Sequence, residues 1–324
     1  MAIVLIDPLD NLPISLALDR APILEDFRYT FPALARKKRF DSAVVGSSTS
    51  RLFQPKQLDR LFDARFVNLS MNNASDYEQS LILGIFLDHH RRPRVVIFGL
   101  DEKWLQPADA YQAKSTLPGF PAWLYDDDPW NDFAHVFDPW MLEKARRQLS
   151  QVLGIRRATY ARDGSWRPPP GWGRTTPEKR RRLLYGEGPI ARRPVEPPVV
   201  LGEAERRALV FPAHAALASL LGRLPEGTEK VLFLAPYFLA RQPGSGSREA
   251  AVAVEAKARI ATLVGATPRA RLLDFMIPSP LTRDEANYVD GVHVTPEATA
   301  RVADLLAASR APGLRSPLFV RLTR

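Results

Sequence analysis

The stretch that decides the fold occupies residues 42–54 and reads SAVVGSSTSRLFQ. It opens with a short apolar, β-branched run, reaches Gly46 and continues with four small hydroxyl residues. An apolar run that stops at a glycine predicts a buried strand followed by a turn. Pro55 stands at a first-turn position, and the apolar residues after it have helical spacing, which predicts a helix.

The four hydroxyl residues, Ser47 to Ser50, allow two interpretations. Serine and threonine are favoured helix N-caps, so these residues could serve only to start the helix. A serine between a strand and a helix also stands at the carboxyl edge of a sheet, where helix-terminal amides can stabilise an oxyanion. Open α/β sheets hold their sites at that edge. The choice depends on residues elsewhere in the chain.

A second informative stretch lies near the end of the chain, where residues 287–297 read NYVDGVHVTPE. It places Asp290 three positions before His293 on a predicted loop, and Thr295 then caps a helix with Pro296 at its first position. An aspartate and a histidine on one loop can hydrogen-bond, so that the other ring nitrogen faces a serine hydroxyl. This pair favours a nucleophile in the serine turn.

Together the two stretches resemble the SGNH or GDSL-type hydrolases, whose first block is Gly-Asp-Ser and whose last is Asp-x-x-His. Gly46-Ser47-Ser48 and Asp290 to His293 match those blocks. The Gly-Ser-Ser form is more similar to the envelope branches of that superfamily, which include polysaccharide O-acetyltransferase-like and D-alanyl-transfer proteins. The resemblance implies that Ser48 is the nucleophile, His293 the base and Asp290 its orienting partner, in a protein of the cell envelope or periplasm.

The second block of the family matches less closely. It supplies an oxyanion donor, usually a glycine amide, from the loop after the second strand, and Ser70 stands at about that position. Asn72 and Asn73 follow and could add side-chain amides as donors. The alternative is an asparagine-rich turn that tolerates left-handed backbone.

The third block, Gly-x-Asn-Asp in the family, is matched by GLDE at residues 99–102. The family's asparagine donates to the oxyanion, whereas Asp101 cannot donate while it is ionised. Asp101 could instead cap the following helix or hydrogen-bond the Ser48 loop. Trp104 either lines an acyl or sugar pocket or packs in the core.

Strand-like and helix-like segments alternate along the chain, which predicts an α/β fold. We expect a doubly wound, flavodoxin-like parallel sheet of five strands, with helices on both faces and a large insertion between strands three and four. We expect a lead-in at residues 1–40 and an α/β domain at residues 41–310. The insertion within that domain covers residues 105–208, and a tail follows at residues 311–324. The carboxyl edge of the sheet should then gather Ser48, Ser70, Asp101 and His293.

Composition excludes several kinds of site. The 324 residues include no cysteine, which excludes disulfides and thiolate chemistry, and the five histidines lack zinc-site spacing. Neither the residues nor the resemblance implies a cofactor or a metal. The formal net charge is +9, and most of the excess lies at residues 156–193, where eleven Arg or Lys face three acids.

That basic segment also carries Trp166, Trp172 and Tyr185. Aromatic rings among arginines suit stacking on sugars or contact with an anionic polymer, although a charge run is also typical of a solvated flap. No nucleic-acid motif accompanies the charge, so a nucleic-acid partner is not expected.

The first residues lack the basic region and cleavage site of a signal peptide, and no apolar run approaches the ~20 residues that span a bilayer. As written the chain is therefore expected to be soluble. Envelope members of the family often carry an anchor just before this point, so a membrane contact is expected only if an apolar segment is encoded upstream.

Two functions remain open. The first is a serine-dependent acyl-ester hydrolase (an esterase or deacetylase) or O-acyltransferase, acting on an acylated small molecule, sugar or polysaccharide. The second is a catalytically degenerate module of the same fold that binds anionic polysaccharide through the basic insertion, with Asp101 marking a lost oxyanion hole.

Overall fold

The computed structural model describes the whole chain except residues 1, 25, 112–118, 138, 188–196, 198, 312 and 324. Several of these fall within the expected insertion, so that part of the prediction lies outside the described residues.

The described strands are β1 (Ser42–Val45), β2 (Phe66–Asn68), β3 (Val95–Leu100), β4 (Glu229–Leu234), β5 (Ala270–Asp274) and β6 (Val320–Arg321). They form one mixed sheet in the order β2-β1-β3-β4-β5-β6, in which β1 to β5 are parallel and β6 pairs antiparallel with β5. Every residue of β1 to β4 is buried, which explains why they read as apolar runs rather than alternating patterns.

The expectation of five strands was wrong by one. The sixth strand, β6, has two residues and lies in the segment expected to be a tail. A two-residue strand with one exposed and one half-buried residue leaves no periodic pattern, so only its pairing with β5 identifies it.

The helices are α1 (Ala2–Ile6), α2 (Phe27–Ala35), α3 (Pro55–Phe62), α4 (Asp76–His89), α5 (Phe133–Val136), α6 (Pro139–Val152), α7 (Pro177–Tyr185), α8 (Glu203–Ala208), α9 (Pro212–Arg223), α10 (Arg248–Gly265), α11 (Pro280–Arg283) and α12 (Pro296–Ala308). Helix α3 contacts α12, whereas α4 contacts α2 and α9. Within the described residues, no helix combines the length and the apolar character needed to cross a bilayer.

Two apolar cores hold these elements together. The larger core surrounds the sheet. The smaller one joins the first residues of the chain, including Ile3 and Leu9, to residues that follow β3, including Leu124 and Met141, and α1 contacts α6. The lead-in and the first part of the expected insertion therefore share a core, although they are separated by about a hundred residues.

The parallel strands bring the candidate residues to one edge. Ser48 follows β1, Ser70 follows β2 and Asp101 follows β3, each within three residues of the strand end. His293 lies in the loop before α12, whose N-cap Thr295 accepts a hydrogen bond from the amide of Ala298, as expected. This edge carries the candidate site.

Candidate functional site

The turn after β1 differs from the expected strand-to-helix turn. Residues Ser48–Ser50 form one turn of 3₁₀ helix, and α3 begins only at Pro55. The N-cap of α3 is Gln54, which makes no side-chain cap hydrogen bond, and Ser47 makes none to the 3₁₀ turn. Helix α3 therefore begins at Pro55, as predicted, and the serine residues form a separate 3₁₀ turn that the sequence did not predict. Nor do the hydroxyls cap α3, so they are available for other contacts.

The Ser48 hydroxyl meets the imidazole of His293. Ser48 Oγ lies 2.7 Å from His293 Nε2, and His293 Nδ1 lies 2.7 Å from Asp290 Oδ2. Because an ionised carboxylate only accepts, Nδ1 carries the proton and donates to Asp290, which leaves Nε2 to accept from Ser48. Ser48, His293 and Asp290 thus form one chain of hydrogen bonds, and all three residues are partly buried.

The Asp290 carboxylate is held by the backbone as well as by the ring. Its Oδ1 accepts from the amides of Val292 and His293, each at 2.9 Å. Burial acts to raise its pKa, but the hydrogen bonds from the His293 ring and from these amides hold the pKa of Asp290 below its ordinary value. Asp290 is therefore a fixed anion that orients His293.

The loop that carries Asp290 and His293 is braced from two sides. The Gly291 amide donates to the carbonyl of Leu183 in α7 (3.1 Å), and the Gly291 carbonyl accepts from the amide of Phe238 (3.0 Å). A Cβ at Gly291 would lie 2.3 Å from Cγ of Arg241, so this close approach requires glycine. Helix α7, which the sequence did not predict, thus brings the basic segment against the candidate site.

Asn68, the last residue of β2, holds the serine turn and was missed by sequence reasoning. Its fully buried side-chain amide donates to the carbonyls of Ser50, Arg51 and Phe53 at 2.9–3.3 Å. Its Oδ1 accepts from the Ser70 amide at 3.0 Å. An asparagine at the end of an apolar run was the only signal, and it could not show which loop the side chain reaches.

Arg51 braces the same turn from its other side. The guanidinium lies 3.9 Å from the ring centre of Phe27 and donates to the Gly164 carbonyl at 3.0 Å. Burial lowers the pKa of Arg51 to about 10. The serine turn is therefore tied both to α2 and to the basic segment.

Two glycines leave room for the side chain of Ser50 beneath the turn. A Cβ added at Gly46 would lie 2.5 Å from Ser50 Oγ, and one at Gly99 would lie 1.9 Å from the same atom. Neither position can carry a side chain unless Ser50 moves. The glycines that resemble family blocks thus serve close packing between β1, β3 and the turn.

The expected oxyanion residues differ in their surroundings. The Ser70 amide is engaged by Asn68 and its side chain is fully buried, which argues against the donor role expected for it. Asn72 and Asn73 are exposed. Asn73 has a φ of +53°, as the left-handed-turn alternative predicts, and its Oδ1 accepts from Lys103 Nζ at 2.8 Å. Lys103, which the sequence analysis did not identify as a site residue, therefore fixes the orientation of the Asn73 side-chain amide.

Asp101 makes the contacts of a cap. Its Oδ1 accepts from the Lys103 amide at 3.0 Å. Burial raises the pKa of Asp101, and the nearby Ser47 hydroxyl and Lys103 offset only part of that effect. Trp104 is fully buried in the larger core, which supports packing rather than the lining of an open pocket.

The aromatic residues of the basic segment have separate environments. Trp166 and Trp172 meet edge to face, with ring centres 5.2 Å apart. Tyr185 packs on Phe238 and donates to the carboxylate of Glu285 at 2.6 Å, so it supports the His293 loop from outside. In the described part of the chain, no group of three His, Asp or Glu side chains is placed to hold a metal ion.

Comparison with known proteins found no match: no protein-family model matches the chain, and no curated protein matches it.

Proposed function

We propose that this chain is a serine-dependent acyl-ester enzyme, an esterase or deacetylase or an O-acyltransferase, of the SGNH type that its first and last blocks resemble. One observation carries the proposal: Ser48 Oγ and Asp290 Oδ2 lie 2.7 Å from the two nitrogens of the His293 ring. Ser48 and His293 are 245 positions apart in the chain, so the fold itself creates the contact. A nucleophile, a base and an orienting carboxylate in that order define serine-type acyl transfer.

The reaction follows from the protonation states. Ser48 Oγ attacks the ester carbonyl as its proton passes to His293 Nε2, and the imidazolium is stabilised by Asp290. When the tetrahedral intermediate collapses, the bond to the leaving oxygen breaks and that oxygen takes the proton from Nε2. Water, or a sugar hydroxyl in a transferase, then gives its proton to His293 Nε2 and attacks the acyl-serine. The bond between Ser48 Oγ and the acyl group breaks, Oγ takes the proton back from Nε2, and the acyl product is released.

The oxyanion is assigned to neutral donors in the loops around Ser48. The Ser48 amide opens a 3₁₀ turn, and the first amides of a helical turn have no acceptor within it. Asn72 and Asn73 offer side-chain amides from the second loop. Asp101 accepts hydrogen bonds and cannot supply the donor that the family's asparagine gives.

The finer features of the fold belong to the same proposal. The order β2-β1-β3-β4-β5 supports a flavodoxin-like arrangement of the parallel strands. The separate contacts of α3 with α12, and of α4 with α2 and α9, support helices on both faces of the sheet.

The test is the Ser48→Ala variant, with Thr49→Ala as the matched control. Wild type and Thr49→Ala should hydrolyse a short-chain aryl ester and be labelled by a serine-directed fluorophosphonate. Ser48→Ala should lose labelling and at least about a thousandfold of turnover, because the nucleophile is absent. Retention of both by Ser48→Ala would end the assignment.

A degenerate binding module is the second candidate, and Asp101 favours it because it replaces an oxyanion donor with a buried acceptor. This candidate predicts that wild type neither turns over esters nor reacts with the fluorophosphonate, although it binds an anionic glycan. Turnover that depends on Ser48 would exclude it.

A further inference from the structure

Helix α6 has one face in the smaller core and a second face that is exposed. Met141 and Ala145 lie in the smaller core, which fixes α6 against the lead-in. Leu142 and Leu149 in α6, and Leu153 directly after it, are exposed. Spacings of seven and four residues place these three leucines on a single face of the helix. The helix therefore carries an exposed apolar stripe beside its buried face.

The stripe ends in an apolar tip whose backbone is held by hydrogen bonds. The Gly154 amide donates to the Gln151 carbonyl at 3.1 Å, and Gly154 has a φ of +73°. The Ile155 amide donates to the Ser150 carbonyl at 2.9 Å. These two bonds form a Schellman motif, in which the residue after the glycine frequently packs back on the helix. Here Ile155 is instead 78% exposed, so the motif presents it to solvent together with Leu153.

Exposed arginines border the apolar side chains. Arg146 shares the face of the leucines, and Arg156 and Arg157 directly follow the tip. Glu143 is the only acid at residues 139–157, and it pairs with other basic side chains of α6. None of the three arginines forms an ion pair with another described residue. An apolar stripe bordered by unpaired cations is complementary to a surface with an apolar interior and anionic groups at its rim.

The shape and the charge of this region favour a lipid bilayer over a second copy of the chain. Residues 152–159 are all exposed, so the tip projects into solvent rather than lining a groove. A two-fold dimer through this face would bring its three arginines against the same three of the partner, with no free acid between them. Helix α6 has 14 residues, which is too few to span a bilayer, so it would lie in the interface.

We propose that the α6 surface docks this protein on a lipid bilayer that contains anionic lipids. The α6 surface consists of Leu142, Leu149, Leu153 and Ile155 with Arg146, Arg156 and Arg157. Its apolar side chains enter the boundary between headgroups and acyl chains, and its arginines bind the lipid phosphates. This contact uses described residues of the chain itself, so it differs from an anchor encoded upstream. It also does not depend on the proposed function.

The first test measures flotation of the full chain with vesicles of phosphatidylcholine and phosphatidylglycerol, and with vesicles of phosphatidylcholine alone. Wild type should bind the anionic vesicles at least about tenfold more tightly. L153Q/I155Q should weaken that binding at least about tenfold, because full burial of even one such side chain is worth that factor. The matched control V200Q/V254Q changes two exposed valines elsewhere and should bind within about twofold of wild type.

The charged part of the surface is tested with R156Q/R157Q. This variant should lose about ten- to thirtyfold in affinity for the anionic vesicles, or about fivefold for each cation. Its matched control is K56Q/R60Q, which removes two exposed cations from α3 and should stay within about twofold of wild type. Equal loss in the two variants would overturn the proposal, because binding would then follow net charge alone.

A label reports directly whether the tip enters the bilayer. The sequence contains no cysteine, so I155C provides a single site for a polarity-sensitive fluorophore. On anionic vesicles its emission should shift to the blue and be quenched by a lipid that carries a quencher near the headgroup. The same label at V254C in α10 should show neither effect. An unchanged signal at I155C in the presence of vesicles would overturn the proposal.

Two further outcomes separate this proposal from its alternatives. Absence of vesicle binding, together with self-association that L153Q/I155Q abolishes, would assign the α6 surface to a second copy of the chain. Ser48→Ala should bind vesicles as wild type does, since Ser48 is not part of the α6 surface. Loss of aryl-ester turnover and loss of vesicle binding therefore report separately on the proposed function and on this proposal.

Discussion

Two pairs of loops meet at the carboxyl edge of the sheet, and they differ in how far they follow the family pattern. The Ser48 turn and the Asp290 to His293 loop match it, and 2.7 Å contacts join their side chains. The loops at residues 70–73 and 101–105 depart from it, yet Lys103 Nζ joins them through Asn73 at 2.8 Å. The difference teaches that the proposed proton transfer and the proposed oxyanion binding would depend on separate parts of this fold.

The two pairs are nevertheless connected. The Met71 amide donates to the Gly46 carbonyl at 3.1 Å. Preorganised donors contribute to catalysis only when they are held in place relative to the nucleophile. The loop at residues 70–73 is therefore tied to the turn that carries Ser48, and the residue types in the two loops decide whether they can stabilise an oxyanion.

The largest effect is expected from Asp290→Asn, which changes the pair of loops that matches the family pattern, the Ser48 turn and the Asp290 to His293 loop. The oxygen of the introduced side-chain amide can still accept from the Val292 and His293 amides, so its NH₂ group faces Nδ1 and forces the ring proton onto Nε2. His293 then cannot accept from Ser48, and kcat should fall on the order of 10⁴-fold, as it does for the equivalent change in serine proteases.

Aryl-ester kinetics measure this loss, and Asp284→Asn provides the control. Asp284 caps the 3₁₀ turn just upstream, and asparagine caps equally well, so that variant should keep wild-type kcat. A fall of less than about tenfold for Asp290→Asn would show that the carboxylate does not set the tautomer.

The next largest effect concerns the two loops that depart from the family pattern, at residues 70–73 and 101–105. If the second loop supplies the oxyanion donor, Asn72→Ala or Asn73→Gly should lower kcat by about 10²- to 10³-fold with little change in KM. Glycine is the proper replacement at Asn73, because it removes the amide without straining a φ of +53°. Steady-state kinetics at several ester concentrations separate kcat from KM.

Lys103→Met sharpens that result. It keeps both asparagines but removes the contacts of Nζ with the carbonyl and Oδ1 of Asn73. An intermediate loss of kcat would identify Lys103 as a positioning residue. Unchanged kcat in Asn72→Ala and Asn73→Gly alike would remove the loop from the oxyanion site.

The sequence predicted more of the matching pair than of the departing one, for a physical reason. Buried strands and a capped helix leave local patterns, so β1, α3 and the start of α12 could be predicted with the edge where Ser48 and His293 meet. The roles of Asn68, Lys103 and Gly291 depend on which carbonyl or side chain lies across from them, which no local pattern records.

Helix α7 shows the same limit. A few apolar residues among many arginines are typical of a solvated flap. In α7, however, Leu184 is fully buried, and the Leu183 carbonyl accepts a hydrogen bond from the Gly291 amide. The 3₁₀ turn at Ser48–Ser50 was not predicted, because so short a turn needs no distinctive residues.

The smallest effect, and the finest comparison of the two pairs, comes from Asp101→Asn, which gives the third loop the asparagine of the family. The oxygen of the new side-chain amide can still accept from the Lys103 amide, while a buried charge disappears. Because burial raises the pKa of Asp101 above its ordinary 3.8, the folded wild type is penalised once the carboxyl ionises, and stability falls as pH rises through that raised pKa.

Asp101→Asn should therefore melt a few degrees above wild type at pH 8, and the difference should shrink toward pH 4, where both folded and unfolded wild type approach the protonated form. Thermal melts across this pH range measure the difference, and a wild type that melts higher throughout would show that Asp101 is a stabilising anion. Since the contact with the Lys103 amide keeps the new amide oxygen as a cap, kcat should change by less than about tenfold. A larger gain in kcat would mean that one substitution completes an oxyanion site, and that the departing pair lacks only the donor that an aspartate cannot provide.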